Sequence, residues 1–239
     1  MRFDPPLLPA TLLGRRQRFF ADVRLACGTQ LAVHCPNTGS MLRCLVPNSP
    51  CYVSLGGRPG RRLPGTLEIV TTAAGHLAGV NTTRANRLVR EALEAGRVAE
   101  LSAYRRIRAE VPWAGSRLDF LLEGEGLPKC FLEVKNVTLE TPQGHLVFPD
   151  APTARGRKHL EALVEAVRAG HRAALFFCVQ HSAAASAGPA AAIDPHYTAA
   201  LERARALGVE VLAYACRLSA REIAVERPIP YRPYAVTGE

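Results

Sequence analysis

Arg117-Leu118-Asp119-Phe120-Leu121-Leu122 and, after a polar break, Phe131-Leu132-Glu133-Val134-Lys135-Asn136-Val137 decide how this chain is read. Side chains alternate across a strand, so the first run points Leu118, Phe120 and Leu122 one way and Arg117, Asp119 and Leu121 the other. In the second run Leu132 and Val134 share one face, and Phe131, Glu133, Lys135 and Val137 share its opposite. Pairing as a hairpin through Glu123 to Lys129 brings Asp119 towards Glu133, with a register that the sequence alone leaves open. Two carboxylates beside an ammonium suit a hard divalent cation, Mg²⁺ or Mn²⁺, and a positioned water, the equipment for hydrolysing a phosphodiester. A surface Glu-x-Lys pair on a half-exposed strand is the plain alternative. Lysine is scarce here: Lys129, Lys135 and Lys158 are the only lysines among 30 basic residues. Its use after Glu133 therefore carries information, because a compact ammonium donates to a water or phosphate oxygen differently from a planar guanidinium.

Outward from this pair, organisation changes near residue 80. Before it, short β-rich runs (19–25, 31–35, 51–55, 67–71 and 76–80) are separated by Gly, Pro and Asn, which predicts a small barrel or sandwich. After it, helical and strand patterns alternate. Segment 81–95 places Ala85, Leu88, Val89, Ala92 and Leu93 on one helical face and stops at Gly96. Segment 155–169 does the same through Leu160, Leu163, Val164 and Val167. The continuous apolar run 173–179 reads as a strand buried on both faces. Asp194 as cap, Pro195 as first residue and Gly208 as terminator frame a third helix, with a strand at 209–216. The expectation is two domains, a β-barrel over 1–80 and an α/β domain with a mixed sheet over 81–239. Residues 182–192 read as a loop or weak helix, and those from Pro228 onward as a proline-rich tail.

The net charge is +9. Nine arginines face only Asp4, Asp22 and Glu68 in the first 80 residues, so that third carries most of the positive field and suggests a polyanionic partner. Arg15, Arg16 and Arg18 precede Phe19 and Phe20, and Arg58, Arg61 and Arg62 sit in a Gly/Pro-rich loop, a composition suited to phosphate contacts and base stacking or simply to a solvated loop. No apolar stretch approaches membrane-spanning length, and the first 14 residues lack the apolar core of a signal peptide. Seven cysteines without a Cys-x-x-Cys pair argue against a disulfide framework or a zinc ribbon and point to the cytoplasm. There is no Gly-x-Ser-x-Gly elbow and no Walker spacing.

Six segments, in order, carry a resemblance: His34-Cys35-Pro36-Asn37-Thr38-Gly39-Ser40-Met41, Val80-Asn81-Thr82 with Ala85-Asn86, Ser116 to Phe120, Glu133-Val134-Lys135-Asn136-Val137-Thr138-Leu139, Phe148-Pro149-Asp150-Ala151, and Arg155-Gly156-x-Lys158-His159-Leu160. Along nearly the whole chain they resemble the sugar fermentation stimulation protein family. That resemblance implies an N-terminal OB-fold barrel and a C-terminal domain similar to PD-(D/E)XK nucleases and restriction endonucleases. It also implies sequence-non-specific DNA binding and a regulatory link to maltose metabolism. On the nuclease-like pattern Asp119 is the motif acid, Glu133 and Lys135 form the E-x-K pair, and Glu91 or Glu100 is the candidate helix-borne acid. Pro152 and the stretch 63–68 depart from the family's usual residues. Whether such a site turns over, making the protein a Mg²⁺-dependent endonuclease, or only binds DNA stays open at this level.

The remaining candidates weigh differently. Glu91 lies about 130° from the apolar stripe of its helix, so solvent exposure competes with metal ligation. Arg155 and His159 share a flank near a helix start, where free amides favour phosphate; His159 alone reads as a partly exposed histidine. Lys158 points away from the core and reads as a phosphate contact or surface charge, while Gly156 falls on the core face. Residues 35–41 form either an anion-binding loop or a β-turn. Asp150 suits a second acid of the site or an Asx-turn, and Thr153 suits a helix cap. The expected nucleic-acid contacts are Arg15, Arg16, Arg18, Arg61, Arg62, Arg155 and Lys158, and the expected metal ligands Asp119, Glu133 and Glu91.

Overall fold

The computed structural model describes residues 1–56 and 62–233. Arg58 and Arg61, both expected phosphate contacts, lie outside the described residues.

The first domain is a barrel of Leu8–Arg16 (β1), Phe20–Leu25 (β2), Gln30–His34 (β3), Ser49–Leu55 (β4) and Gly65–Thr71 (β5), with Leu77–Gly79 (β6) added at its side. The order β3-β2-β1-β4-β5 closes because β3 pairs in parallel with β5 at His34 and Thr66. Closure removes the unpaired edges that an open sheet of these strands would present. Alternate residues, Leu12, Val23, Val33, Val53 and Leu67 among them, fill the interior. Strand β1 was hidden in the sequence. Pro9 and the Arg15-Arg16 pair mask its alternation, and it is held in place by β2 on one side and β4 on the other.

The second domain begins with a 3₁₀ turn and the helix Ala85–Glu94 (α1). Its main sheet comprises Arg106–Trp113 (β7), Ser116–Glu123 (β8), Cys130–Val137 (β9), Arg172–Val179 (β12), Glu210–Leu218 (β14) and Ile223–Pro228 (β15), in the order β15-β14-β12-β9-β8-β7. Between β9 and β12 lie the short strands Leu139–Glu140 (β10) and Leu146–Phe148 (β11) and the helix Ala154–Arg168 (α2). Ala187–Pro189 (β13) and the helix Pro195–Ala206 (α3) follow β12. Strands β9, β12 and β14 run parallel and the outer pairs antiparallel, which makes the sheet mixed. Such a sheet must bury both faces. Helix α1 covers one with Leu88, Val89 and Leu93 over Phe120, Leu132 and Phe176; α2 and α3 cover the other with Leu160, Leu163 and Leu201 over Phe131, Leu175 and Phe177.

Local signals account for the helix starts. Thr153 Oγ1 accepts the Gly156 amide at 3.0 Å, and Asp194 Oδ1 accepts the Tyr197 amide at 2.8 Å, each satisfying a donor that the first turn leaves unpaired. Gly156 faces Tyr197 so closely that a Cβ there would sit 3.1 Å from the ring.

Two expectations are corrected, and one strand is added. Strand β7 leaves little trace in the sequence, because most of its side chains are exposed and its periodicity carries little apolar signal. The segment 182–192 is not a featureless loop, since its 187–189 stretch pairs in parallel with β11. Leu118 does not share a core with Phe120 and Leu122: it joins the α2 side, while they join the α1 side. The alternation of β8 thus breaks at Asp119. In addition, residues 1–7 pack beneath the second domain, where the Phe3 and Leu7 amides donate to Arg221 O and Ala220 O.

Candidate metal centre and nucleic-acid cleft

The hairpin register is now fixed: Phe120 pairs with Leu132, Leu121 with Phe131 and Leu122 with Cys130. Beyond Phe120 the ladder opens, and the Asp119 side chain takes over. Its Oδ2 accepts the Val134 amide at 2.8 Å, and its Oδ1 accepts the Asn86 side-chain amide of α1 at 2.7 Å. Burial, then the negative charge of Glu133, push the Asp119 carboxyl up to about 6.

Glu133 is 2% exposed. Its Oε1 accepts from the Lys135 ammonium at 2.6 Å and from His159 Nδ1 of α2, whereas its Oε2 is buried with no hydrogen-bond partner among the described residues. Burial raises the carboxyl, but the His159 hydrogen bond and the Lys135 charge outweigh it and hold Glu133 below the usual carboxylate range. His159 Nε2 accepts from Arg155 Nε at 3.4 Å, so the neutral ring that fits both contacts carries its proton on Nδ1. The two acids are therefore unlike. One is poised to ionise near neutrality, and the other is a carboxylate with one oxygen uncommitted, which is the donor set a hard cation selects.

Asn86, Val134 and Lys135, the direct partners of these acids, line a cleft of ≈ 510 Å³ between the two domains. Arg18 from the barrel and Arg155 from α2 line it as well. The Phe148 ring lies 6.0 Å from Lys135 Nζ, a cation–π separation that holds the ammonium over the cleft wall.

Other expected residues lie elsewhere. Glu91 does not join the acids: it pairs with the Met1 amine at 2.6 Å and with Arg87 at 2.9 Å, on a different flank of α1 from Asn86. Glu100 accepts from the Tyr214 hydroxyl at 2.5 Å. Helix α1 thus contributes an amide to this site, Asn86, where an acid was expected. Arg15 is a structural residue, because its guanidinium donates to Asn37 O, Gly39 O and Arg18 O and so pins the 37–39 loop. Arg16 pairs with Asp22 at 2.9 Å. Arg62 and Lys158 are exposed, and neither lines the cleft.

The 35–41 loop is held by side-chain oxygens at two of its amides. Asn37 Oδ1 accepts the Gly39 amide, and Asp150 Oδ2 accepts the Met41 amide at 2.9 Å. Asp150 therefore joins the two domains, and a Cβ on Gly39 would run into its carboxylate. His159, which on sequence alone suits partial exposure, is 6% exposed. Its position one helical turn after Arg155 was the available signal, but its burial depends on β9 lying beneath α2.

Comparison with known proteins agrees with this architecture. Residues 13–80 match the family model described as the sugar fermentation stimulation protein N-terminal OB domain, and residues 83–222 match the sugar fermentation stimulation protein RE domain. Sugar fermentation stimulation protein homologs from Teredinibacter turnerae and Halorhodospira halophila are 51% and 50% identical, covering 96% of this chain in each case and 99% and 97% of theirs. The structure of Pyrococcus furiosus SfsA in complex with Ca²⁺ superposes with a TM-score of 0.86 at 26% identity, covering 97% of this chain and 98% of that one. No helix among the described residues is long and apolar enough to cross a membrane. A closed barrel joined through a shared cleft to a mixed-sheet domain, matched over nearly its full length by these relatives, places this chain in the sugar fermentation stimulation protein family.

Proposed function

We propose that this protein binds DNA through the phosphate backbone, largely without regard to sequence, and holds a hard divalent cation at Asp119 and Glu133. One observation carries the reading: the half-buried Asp119 and the buried Glu133, whose Oε2 has no partner among the described residues, stand behind the wall of an interdomain cleft that Arg18, Lys135 and Arg155 make positive. The Ca²⁺ in the Pyrococcus furiosus relative supports a hard cation in this fold. Mg²⁺ or Mn²⁺ is the expected physiological ion, and when bound it supplies charge neutralisation at a phosphoryl oxygen.

The chain's own groups then have separate tasks. Asp119 is kept in place by Asn86 and the Val134 amide, and Glu133 is aimed by His159. Asp119 and Glu133 Oε2 would hold the cation, and Lys135, kept on Glu133 Oε1 at the cleft wall, can donate to a phosphate oxygen or a water. Arg18 and Arg155 sit on opposite sides of the cleft and fix the backbone by charge. The barrel's arginine excess extends that field.

A second reading, active Mg²⁺-dependent endonuclease, is favoured by Lys135 itself, an ammonium only 11% exposed and next to the acid pair. The regulatory reading, occupancy of DNA that controls maltose metabolism, requires binding without cutting. Incubating plasmid and single-stranded DNA with Mg²⁺ or Mn²⁺ separates them. Nicking by the native protein, lost in Asp119→Ala and Lys135→Ala with binding retained, establishes the endonuclease. Salt-dependent binding without nicking establishes the regulator. A binding constant that does not change with salt overturns both.

A further inference from the structure

A second constellation sits at the domain junction and shares no residue with the acid pair. His76 lies in the turn between β5 and β6 of the barrel, Glu140 ends β10, and His181 follows β12. Backbone bonds bring these segments together: the Gly79 amide donates to Gln180 O, and the Ser182 amide donates to Leu77 O. As a result β6 of the first domain lies along the chain that leaves the main sheet of the second.

His76 Nδ1 is 3.0 and 3.1 Å from the two Glu140 oxygens, and His181 Nε2 is 3.6 Å from Glu140 Oε2. One ligand atom from each of the three residues falls within 4.8 Å of the others. Tetrahedral zinc with bonds of ~2.0–2.1 Å separates adjacent ligands by ~3.3 Å, so these spacings need only small side-chain adjustment. His181 Nε2 is the second observation. The side chain is 0% exposed, its Nε2 has no hydrogen-bond partner among the described residues, and 3.6 Å is too long for a bond to Glu140. Burying a polar nitrogen in this way costs free energy unless something occupies it.

We propose that His76, Glu140 and His181 form a site for a divalent transition metal of the zinc class, which staples the OB barrel to the mixed-sheet domain. Two imidazoles and one carboxylate select zinc over Mg²⁺ or Ca²⁺, which prefer all-oxygen surroundings. His76, half-exposed, opens the fourth position to a water. At present His181 Nδ1 accepts the Ala183 amide at 3.2 Å, which places the neutral ring's proton on Nε2. Metal binding moves that proton to Nδ1 and gives up this one bond.

The test uses the full chain, stripped with a chelator and dialysed. Zn²⁺ is titrated against a chromophoric competitor, and Co²⁺ is added separately to read the visible spectrum of a nitrogen/oxygen site. The expected result is one Zn²⁺ per chain, an intense tetrahedral-type Co²⁺ band, and a melting temperature that zinc raises and excess Mg²⁺ does not. His76→Ala is the main variant, because its partly exposed side chain can be removed without opening the core; Glu140→Gln is the second. Each should weaken Zn²⁺ at least tenfold, while Asp119→Ala leaves it unchanged. Native-like Zn²⁺ affinity in His76→Ala overturns the proposal, as does transfer of the effect to Asp119→Ala or the absence of stoichiometric zinc in the native chain.

Discussion

The Asp119 carboxylate accepts the backbone amide of Val134 at 2.8 Å where the β8–β9 ladder has opened. A side chain therefore completes a strand pairing that the backbone leaves unfinished, and the first acid of the site is positioned by the same bond that satisfies the sheet. A strand amide facing an open ladder must find an acceptor. Supplying it from Asp119 fixes the half-buried carboxylate beside Glu133. The cost falls on ionisation, because the carboxyl is pushed up to about 6.

That cost predicts how stability varies with pH. The folded-state value lies above the ordinary one, so the associated stability is present below pH ~4 and is lost as pH rises through ~6. The displacement corresponds to about 3 kcal/mol at pH 7. Asp119→Asn keeps the shape, and Asn86 can turn its amide to preserve a hydrogen bond. Urea unfolding should find the variant more stable than the native chain by about 1–2 kcal/mol at pH 7.5, with the advantage gone at pH 4. Parallel stability profiles for the two proteins would exclude this account.

Cation binding should show the complementary dependence. Protonation of Asp119 removes one of two ligand charges, so Mg²⁺ or Mn²⁺ should raise the melting temperature at pH 7.5 and have little effect at pH 5. Glu133→Gln should abolish the increase at both values. It should also lower the Asp119 titration midpoint, since Glu133 contributes to raising it. Carbon-detected NMR of the Asp119 carboxyl reads that shift directly.

DNA binding separates the arginines by position. Arg18→Ala and Arg155→Ala should each reduce the slope of log K against log salt by about 0.9, the signature of one lost phosphate contact. Arg16→Ala removes an exposed pair with Asp22 and should leave the melting temperature nearly unchanged. Arg15→Ala should instead lower the melting temperature by several degrees, because it releases the carbonyls of the 37–39 loop. Fluorescence anisotropy and calorimetry on the same variants test both halves.

The interdomain contact around Glu68 should dominate mutational sensitivity in the barrel. This 0% exposed carboxylate accepts from Ser54, from Asn81 and from Arg84 Nη2 and Nε at 2.7 and 3.2 Å. Glu68→Ala strands a half-buried guanidinium and should destabilise by about 3–5 kcal/mol. The double variant Glu68→Ala with Arg84→Met should recover part of that loss, as measured by denaturant unfolding.

Sequence by itself determined much of this molecule: the break near residue 80, the three helices with their Thr153 and Asp194 caps, the buried strand at 173–179, and the placement of Asp119, Glu133 and Lys135 on neighbouring strands. These follow from periodicity, capping and residue type, all of which act over a few neighbouring residues. Tertiary structure decided the rest. It turned Glu91 towards the Met1 amine, put Asn86 against Asp119, buried His159 over β9 and engaged Arg15 inside the barrel loop. It also gathered His76, Glu140 and His181 from segments 41 or more residues apart. Such contacts depend on which elements are neighbours and at what register. That is set by the burial of two sheet faces and the closure of a barrel, and local pattern does not contain it.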